Sequence, residues 1–426
     1  MLIIFRGCIM NRKGFISTAA LYSFFLVFCM LLILIMTTYT NNRINYKNVK
    51  IDAKKWAYDN SSLKNRYYIT PDNPIIIPSV DPSNPDTPSP SSESGNPDTP
   101  TSISEGYKTI LINNGGGNTT YDNAINYIKG KGTPNFKTVS TSNDGMYAAN
   151  DNQGTSYYFR GAVNNNWIKY GKDSSNKDIY WRIIRINGDN SIRMIYSGTT
   201  NPTAESSVVN SNGVFMKTTT TGIGTTKFNS SSNRAEYVGY MYTTNSQHGY
   251  QTSSLIKNSV DNWFKNTTLN GDTNVVDNVF CNDRNTNSTW QSSPRITMNY
   301  NAYYRSNSPV LGCENKLDKF TTSTTLGNGF LTYPVGLISA DEVIFAGGYL
   351  KTANSKYYLY NGLSYYTKTP YYVERGPKAY VYSVNNSTLS YSLTSSNYYI
   401  RPVINLNGNV KLTGTGTYNN VYEVVK

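Results

Sequence analysis

Histidine is almost absent from this chain: His248 is the only one in 426 residues. No GxSxG elbow or other nucleophile motif surrounds it, so a Ser–His or Cys–His hydrolytic pair has no support, and a loop histidine is the plainer assignment. Cysteine is scarce too, with Cys8, Cys29, Cys281 and Cys313. Neither pair has CxxC spacing, and one histidine cannot complete a common zinc set. Only 15% of residues are charged, and no basic patch recurs with a nucleic-acid motif, so nucleic acid is not an expected partner. The run Asn150-Asp151-Asn152-Gln153 offers oxygen ligands of the kind calcium takes, but without EF-hand spacing. No cofactor or metal is expected on these grounds.

Tyrosine is abundant, 38 residues against 14 phenylalanines, and Asn, Ser and Thr are frequent. That profile suits a β-rich extracellular domain with a polar, tyrosine-studded surface better than a cytosolic enzyme. One apolar run stands apart: the 22 residues from Phe15 to Met36 carry no charge. As a helix they would rise about 33 Å, enough to cross a hydrocarbon core of about 30 Å. The lipid bilayer is therefore an expected partner. Arg6, Arg12 and Lys13 precede the run and more basic residues follow it, so charge alone does not orient it. Long domains translocate largely regardless of charge, which favours a single-pass protein with its C-terminal bulk outside.

The sequence Arg12-Lys13-Gly14-Phe15 before an apolar run resembles a type IV prepilin leader. The resemblance implies cleavage between Gly14 and Phe15, and a pilus-like assembly as a partner. Such mature pilins usually carry Glu at their fifth residue; here that position is Ala19, which weakens the expectation of register-specific assembly. An uncleaved signal anchor is the other reading, and Met10 is an alternative start.

Four segments follow from composition: a membrane anchor over 1–40, a helical stalk over 41–70, a disordered linker over 71–104 and a β-rich extracellular domain over 105–426. The stalk is basic, with Arg43, Lys47, Lys50, Lys54, Lys55, Lys64 and Arg66. The linker repeats NPDTP and is too rich in Pro, Ser and Asp to bury a core. In the distal part, short helices are expected over 105–113 and 121–129. Three hairpins are expected, turning at Asn187-Gly188, Asn385-Asn386 and Asn407-Gly408. Ile256, Val260, Trp263 and Phe264 have the spacing of an amphipathic helix packed on a sheet. Ser339 and Glu342 form a capping box ahead of Gly347-Gly348.

Segments such as YWRIIRINGDNSIRMIYSG, YPVGLISADEVIFAGG and YIRPVINLNG resemble uncharacterised surface domains of low-GC Gram-positive bacteria. More distantly, the distal part resembles the C-type-lectin-like scaffold shared with formylglycine-generating enzymes. The resemblance implies a fold and no activity. The expected fold class is thus α+β: a transmembrane helix, a disordered linker, and a β-rich C-type-lectin-like domain with a few short helices.

Candidate site residues are few. Tyr365, Tyr366, Tyr371 and Tyr372 flank Pro370, and aromatics at this density suit either stacking on sugars or packing across a sheet. Arg401 suits either a structural pairing or a ligand contact. Cys281 and Cys313, 32 residues apart, suit a disulfide outside the cytoplasm. Asp341 and Glu342 could be an acid pair, but Glu342 is already explained by the capping box. Two functions remain: an adhesin-like or pilin-like surface protein binding cell-wall or host glycans, or a surface hydrolase acting on such glycans. A deep polar cleft with two close carboxylates or a perturbed titratable group would favour the hydrolase.

Overall fold

The described strands form a ten-stranded and a six-stranded sheet with two two-stranded pairs beside them, and the central strands are mostly apolar and buried along nearly their whole length. The computed structural model describes residues 127–203 and 222–425, all within the unit Pro97–Lys426. The expected anchor, stalk and linker, with Gly14 and Phe15, lie outside the described residues, as does the expected helix over 105–113.

Asp178–Ile186 and Ile192–Gly198 form the hairpin that centres the larger sheet. Asn190 at its turn has φ +69°, the left-handed conformation that Asn tolerates. Trp167–Lys172 pairs with one edge of Asp178–Ile186, and Pro402–Leu406 pairs with Ile192–Gly198. Thr155–Gly161 brings Asn143–Asn150 onto the same sheet. In the smaller sheet, Tyr365–Glu374, Lys378–Asn385 and Thr388–Leu393 run antiparallel in sequence order. The Asn385-Asn386 turn forms as expected, with Asn386 at φ +55°.

The third expected hairpin does not form. Pro402–Leu406 pairs with Ile192–Gly198, Gly336–Leu337 and Val275–Val276, while Leu412–Thr413 pairs with Tyr422–Val424. All five residues of Pro402–Leu406 are buried, and a central strand needs partners on both edges, which a local hairpin cannot supply.

The α+β assignment with a transmembrane helix is corrected by the described residues. They are β-rich with few helices, and none of those helices is long and apolar enough to cross a membrane. The amphipathic helix is Leu255–Lys265, 11 residues, started by Ser254, whose hydroxyl accepts from the Lys257 N–H. It buries Ile256, Val260 and Phe264. Trp263 packs edge-on against Trp181 and Tyr196, which fixes the helix to the larger sheet. The short helix Ala340–Phe345 has the expected capping box, and its chain leaves through Gly347 at φ +110°, a conformation that favours glycine.

Candidate functional site: a charged cleft and a tyrosine face

Arginine is conspicuous inside the central hairpin. Arg182, Arg185 and Arg193 are all buried in strands otherwise made of apolar residues. A buried guanidinium must find acceptors. Arg182 donates to Asn166 Oδ1 (2.7 Å) and the Val163 carbonyl (2.6 Å) and lies over the Trp167 ring. The other two converge on Glu342, with Arg193 Nε at 2.6 Å and Arg185 Nε at 3.2 Å from Oε1. Glu342 Oε2 accepts the Ser339 N–H. The capping residue is therefore also the counter-ion of two strands. Burial alone would raise its pKa; Arg193, Arg185 and Lys368 more than offset this and hold it at about 2.

Arg185 also donates to Asp151 Oδ2 at 2.8 Å. The same oxygen accepts the Gly188 N–H, and Oδ1 accepts from Gln153 and Gly154. The carboxylate lies so close over Gly188 that a Cβ there would come 2.4 Å from Oδ1. The carboxylate singled out for calcium thus serves a guanidinium and a turn, and no group of three His, Cys, Asp or Glu that could hold a metal occurs among the described residues.

Lys368 completes the inner wall. It is fully buried in the Tyr365–Glu374 strand, its Nζ has no hydrogen-bond partner, and the nitrogen lies 4.7 Å from the Phe280 ring centre. Burial, then the neighbouring Arg193, pushes this amine well below its ordinary pKa.

The outer end of the same cleft is acidic. Arg305 Nη2 bonds Asp283 Oδ2 and lies 3.3 Å from Asp341 Oδ2. Asp341 Oδ1 accepts the Val310 N–H at 3.0 Å. The segment carrying Asp283 is clamped on both sides. Asn282 donates to the Lys368 carbonyl, and Arg284 pairs with Asp318 through its side chain and its N–H. Asp283 itself takes φ +45°, a conformation that costs a non-glycine residue free energy. Burial raises its carboxyl to about 6, Arg305 opposing and Asp341 adding to the rise. Cys281 is bonded to Cys313 with Cα atoms 5.6 Å apart, and Asn152 exchanges two hydrogen bonds with the Cys313 backbone. Together these hold the 310–313 loop at the rim. The clear space inside is about 30 Å³, room for two or so waters.

His248 is not part of this cleft. Its Nδ1 meets Asp318 Oδ2 at 3.1 Å and its Nε2 meets Asn315 Nδ2 at 3.2 Å. Burial alone would raise the Asp318 carboxyl, but Arg284 and His248 hold it below the usual carboxylate range. Both ring nitrogens are engaged by Asp318 and Asn315.

The tyrosine candidates separate into two environments. Tyr365 and Tyr366 are core residues. Tyr365 lies under the buried Arg401, which donates to the Tyr196 and Leu359 carbonyls at 3.0 and 2.7 Å. Tyr366 donates its hydroxyl to the Leu393 and Ser396 carbonyls and packs on Phe228 and Tyr398. None of the three reaches solvent. Tyr371, which is also buried in the core, and the half-buried Tyr372 belong to an aromatic cluster. The register shifts on both sides of Pro370, which brings two consecutive tyrosines into one group. Tyr371 stacks on Tyr391 at 4.3 Å, and Tyr372 faces Tyr380 across the sheet at 4.7 Å. Tyr303 and Tyr304 extend the group outward, 36% and 52% exposed. Tyr380, Tyr391, Tyr303 and Tyr304 were not predicted from sequence. Period-two spacing would have flagged Tyr380 with Tyr382, but the Tyr303 pair arrives from a distant loop.

No family model matches the chain, and neither does any curated protein or solved structure, so neither resemblance stated above gains support from those comparisons.

Proposed function

We propose that the β-rich unit is an extracytoplasmic recognition domain that binds glycans of a cell wall or a host surface through its tyrosine face. The observation that carries this reading is the continuous row of phenol rings from the half-buried Tyr372, Tyr380 and Tyr391 to the exposed Tyr303 and Tyr304. Phenol faces stack on the C–H surfaces of sugar rings, and their hydroxyls bond sugar hydroxyls with little side-chain entropy to lose. Glu374 already bonds the Tyr372 and Tyr380 hydroxyls at 3.3 Å each, which orients the ring edges. A location outside the cytoplasm fits the Cys281–Cys313 disulfide and the uncharged run Phe15–Met36. The test is an array of wall and host oligosaccharides probed with the chain and with Tyr304→Ala and Tyr380→Ala. Selective binding lost in both variants at unchanged fold supports the reading; no binding, or binding indifferent to both, removes it.

A hydrolase is the second reading, favoured by one observation: Asp283 and Asp341 share one guanidinium in a cleft, and Asp283 titrates near 6. It ranks second because both carboxylates are held by Arg305 and a sugar ring does not fit the clear space between them. Release of reducing sugar that Asp283→Asn and Asp341→Asn both abolish would reverse the order.

A further inference from the structure

A separate groove lies along the helix Leu255–Lys265 and shares no residue with the charged cleft or the tyrosine face. Its clear volume is about 330 Å³, against about 30 Å³ in the cleft, which brings it into the range of small-ligand sites, about 300–1,000 Å³. Part of its lining is one stripe of the helix. Ser259, Asn262, Trp263 and the C-terminal cap Asn266 stand at i, i+3, i+4 and i+7, the spacing that puts side chains on one face. Much of the rest is Ile223-Gly224-Thr225 with Ile400. The Ile223 N–H donates to the Ile400 carbonyl at 3.1 Å and the Ile400 N–H to the Gly224 carbonyl at 3.0 Å, which ties those two segments together. Exposure is graded across the groove: Ile400 is buried, Trp263 and Ile223 are half-buried, and Asn262, Asn266, Gly224 and Thr225 are exposed.

No charged side chain lines this groove, although the same helix carries Lys257, Asp261 and Lys265 elsewhere. An ionic ligand would give up hydration here and gain no counter-charge in return. The lining offers one indole, two aliphatic side chains, and neutral amides and hydroxyls. Trp263 is already held by Trp181 and Tyr196, so it has little freedom left to lose on binding. Asn266 Nδ2 donates to the Asn262 carbonyl at 2.7 Å, which holds that amide and leaves its Oδ1 to accept. Ser259 Oγ donates to the Leu255 carbonyl at 3.0 Å and can still accept. The exposed Asn262 amide offers donors and an acceptor together. A sugar ring matches that set, since it has an apolar C–H face for the indole and hydroxyls that both donate and accept. A nucleobase is flat on both sides and would meet one aromatic ring only. From this lining we infer that the groove binds an uncharged pyranose unit, its C–H face on Trp263 and its hydroxyls on Asn262, Asn266 and Ser259. The site is independent of the tyrosine face, and either proposal can fail alone.

The test uses the whole purified chain and the methyl glycosides of glucose, galactose and N-acetylglucosamine, with sorbitol and adenosine as controls. Saturation-transfer NMR and intrinsic tryptophan fluorescence are titrated with each. The expected result is saturable binding of at least one glycoside with a change in tryptophan emission, and binding at least tenfold weaker for both controls. Trp263→Leu keeps an apolar side chain against Trp181 and Tyr196 and should abolish both signals. Asn262→Ala combined with Asn266→Ala alters exposed groups only, so that variant folds even if Trp263→Leu does not, and it should weaken binding at least tenfold at an unchanged melting temperature. Sorbitol matching the glycosides would mean that no ring face is read, and adenosine exceeding them would mean a site for flat bases. Either result overturns the inference, as does the absence of binding to all three glycosides or binding that survives in either folded variant. Binding lost in Tyr304→Ala but kept in the asparagine pair belongs to the tyrosine face and overturns it too.

Discussion

The charged cleft and the tyrosine face both draw on one strand, Tyr365–Glu374, through Lys368 and Tyr372, and they are built by opposite means. The cleft gathers single residues from distant segments: Arg185 meets Glu342 across 157 positions, and Arg305 meets Asp341 across 36. Each contact is an ion pair in a place where an unmatched charge is costly. The tyrosine face is mostly local, since Tyr372, Tyr380 and Tyr391 lie on three consecutive strands joined by tight turns. Its contacts are ring against ring, each worth about a kilocalorie per mole and none indispensable. The cleft should therefore fail abruptly when one member is lost, and the tyrosine face gradually.

Removing Glu342 is the strongest way to test that contrast. Glu342→Ala leaves Arg185, Arg193 and Lys368 together without their shared counter-ion and also removes half of the capping box. Breaking a buried pair in this way costs about 3–5 kcal/mol. Urea unfolding should show an unfolding free energy lower by that amount, or no folded protein at all. A loss under about 1 kcal/mol would mean that water already screens the cluster, and the contrast would collapse.

Next in size is the disulfide. Cys281→Ser with Cys313→Ser reopens a loop of 32 residues and should cost roughly 3–4 kcal/mol. The same change frees the 310–313 loop over the cleft, so local amide exchange there should rise more than in the tyrosine strands. Equal rises in both places would show that the crosslink serves the whole core and not the cleft rim.

The pH response separates the two ends of the cleft. The Asp283 carboxyl is raised from 3.8 to about 6, so the folded state holds its proton where the unfolded chain has lost it. That contribution is complete below about pH 4 and is lost as pH rises to about 6. Glu342 runs the other way: lowered from 4.5 to about 2, its contribution is complete above about pH 5 and is lost as pH falls towards 2. Asp283→Asn should accordingly become more stable relative to the parent across pH 4–6, by up to about 3 kcal/mol, and then level off. A stability difference that is flat across this window would contradict the assignment of Asp283 as the raised carboxyl.

Legibility from sequence followed the same division. Two of three expected hairpins, the amphipathic helix, the capping box and the turn asparagines formed where local spacing put them, because those signals act within a few residues. The Pro402–Leu406 strand did not take its nearest partner, since its continuous burial demanded two long-range ones. Tyr365 and Tyr366 could not be told from Tyr371 and Tyr372 because the irregularity at Pro370 breaks the alternation that would have sorted them. The cleft left one usable signal: arginines at 185 and 193, and a lysine at 368, inside strands that otherwise read as buried. Each such cation requires an acceptor, but nothing local says that Asp151, Asp283 or Glu342 supplies it.

The smallest expected effect falls at the outer margin of the tyrosine face. Tyr304 is 52% exposed, touches Tyr303 edge-on at 5.1 Å, and its hydroxyl accepts from Asn299 Nδ2 at 2.9 Å. That amide is itself exposed, so water replaces the lost hydroxyl without leaving a buried donor. Truncation of so exposed a ring removes little buried area, and Tyr304→Ala should change stability by no more than about 0.5 kcal/mol. The Tyr366→Ala change, by contrast, empties a core position and takes the hydroxyl from two part-buried carbonyls, which places it among costs of about 3–5 kcal/mol. Calorimetric melting of the two variants side by side checks the difference. If Tyr304→Ala proves as damaging as Tyr366→Ala, the outer rings are part of the core and the tyrosine face is structural throughout. If it is nearly silent in stability yet abolishes oligosaccharide binding, the ring is present for recognition, since packing would not have missed it.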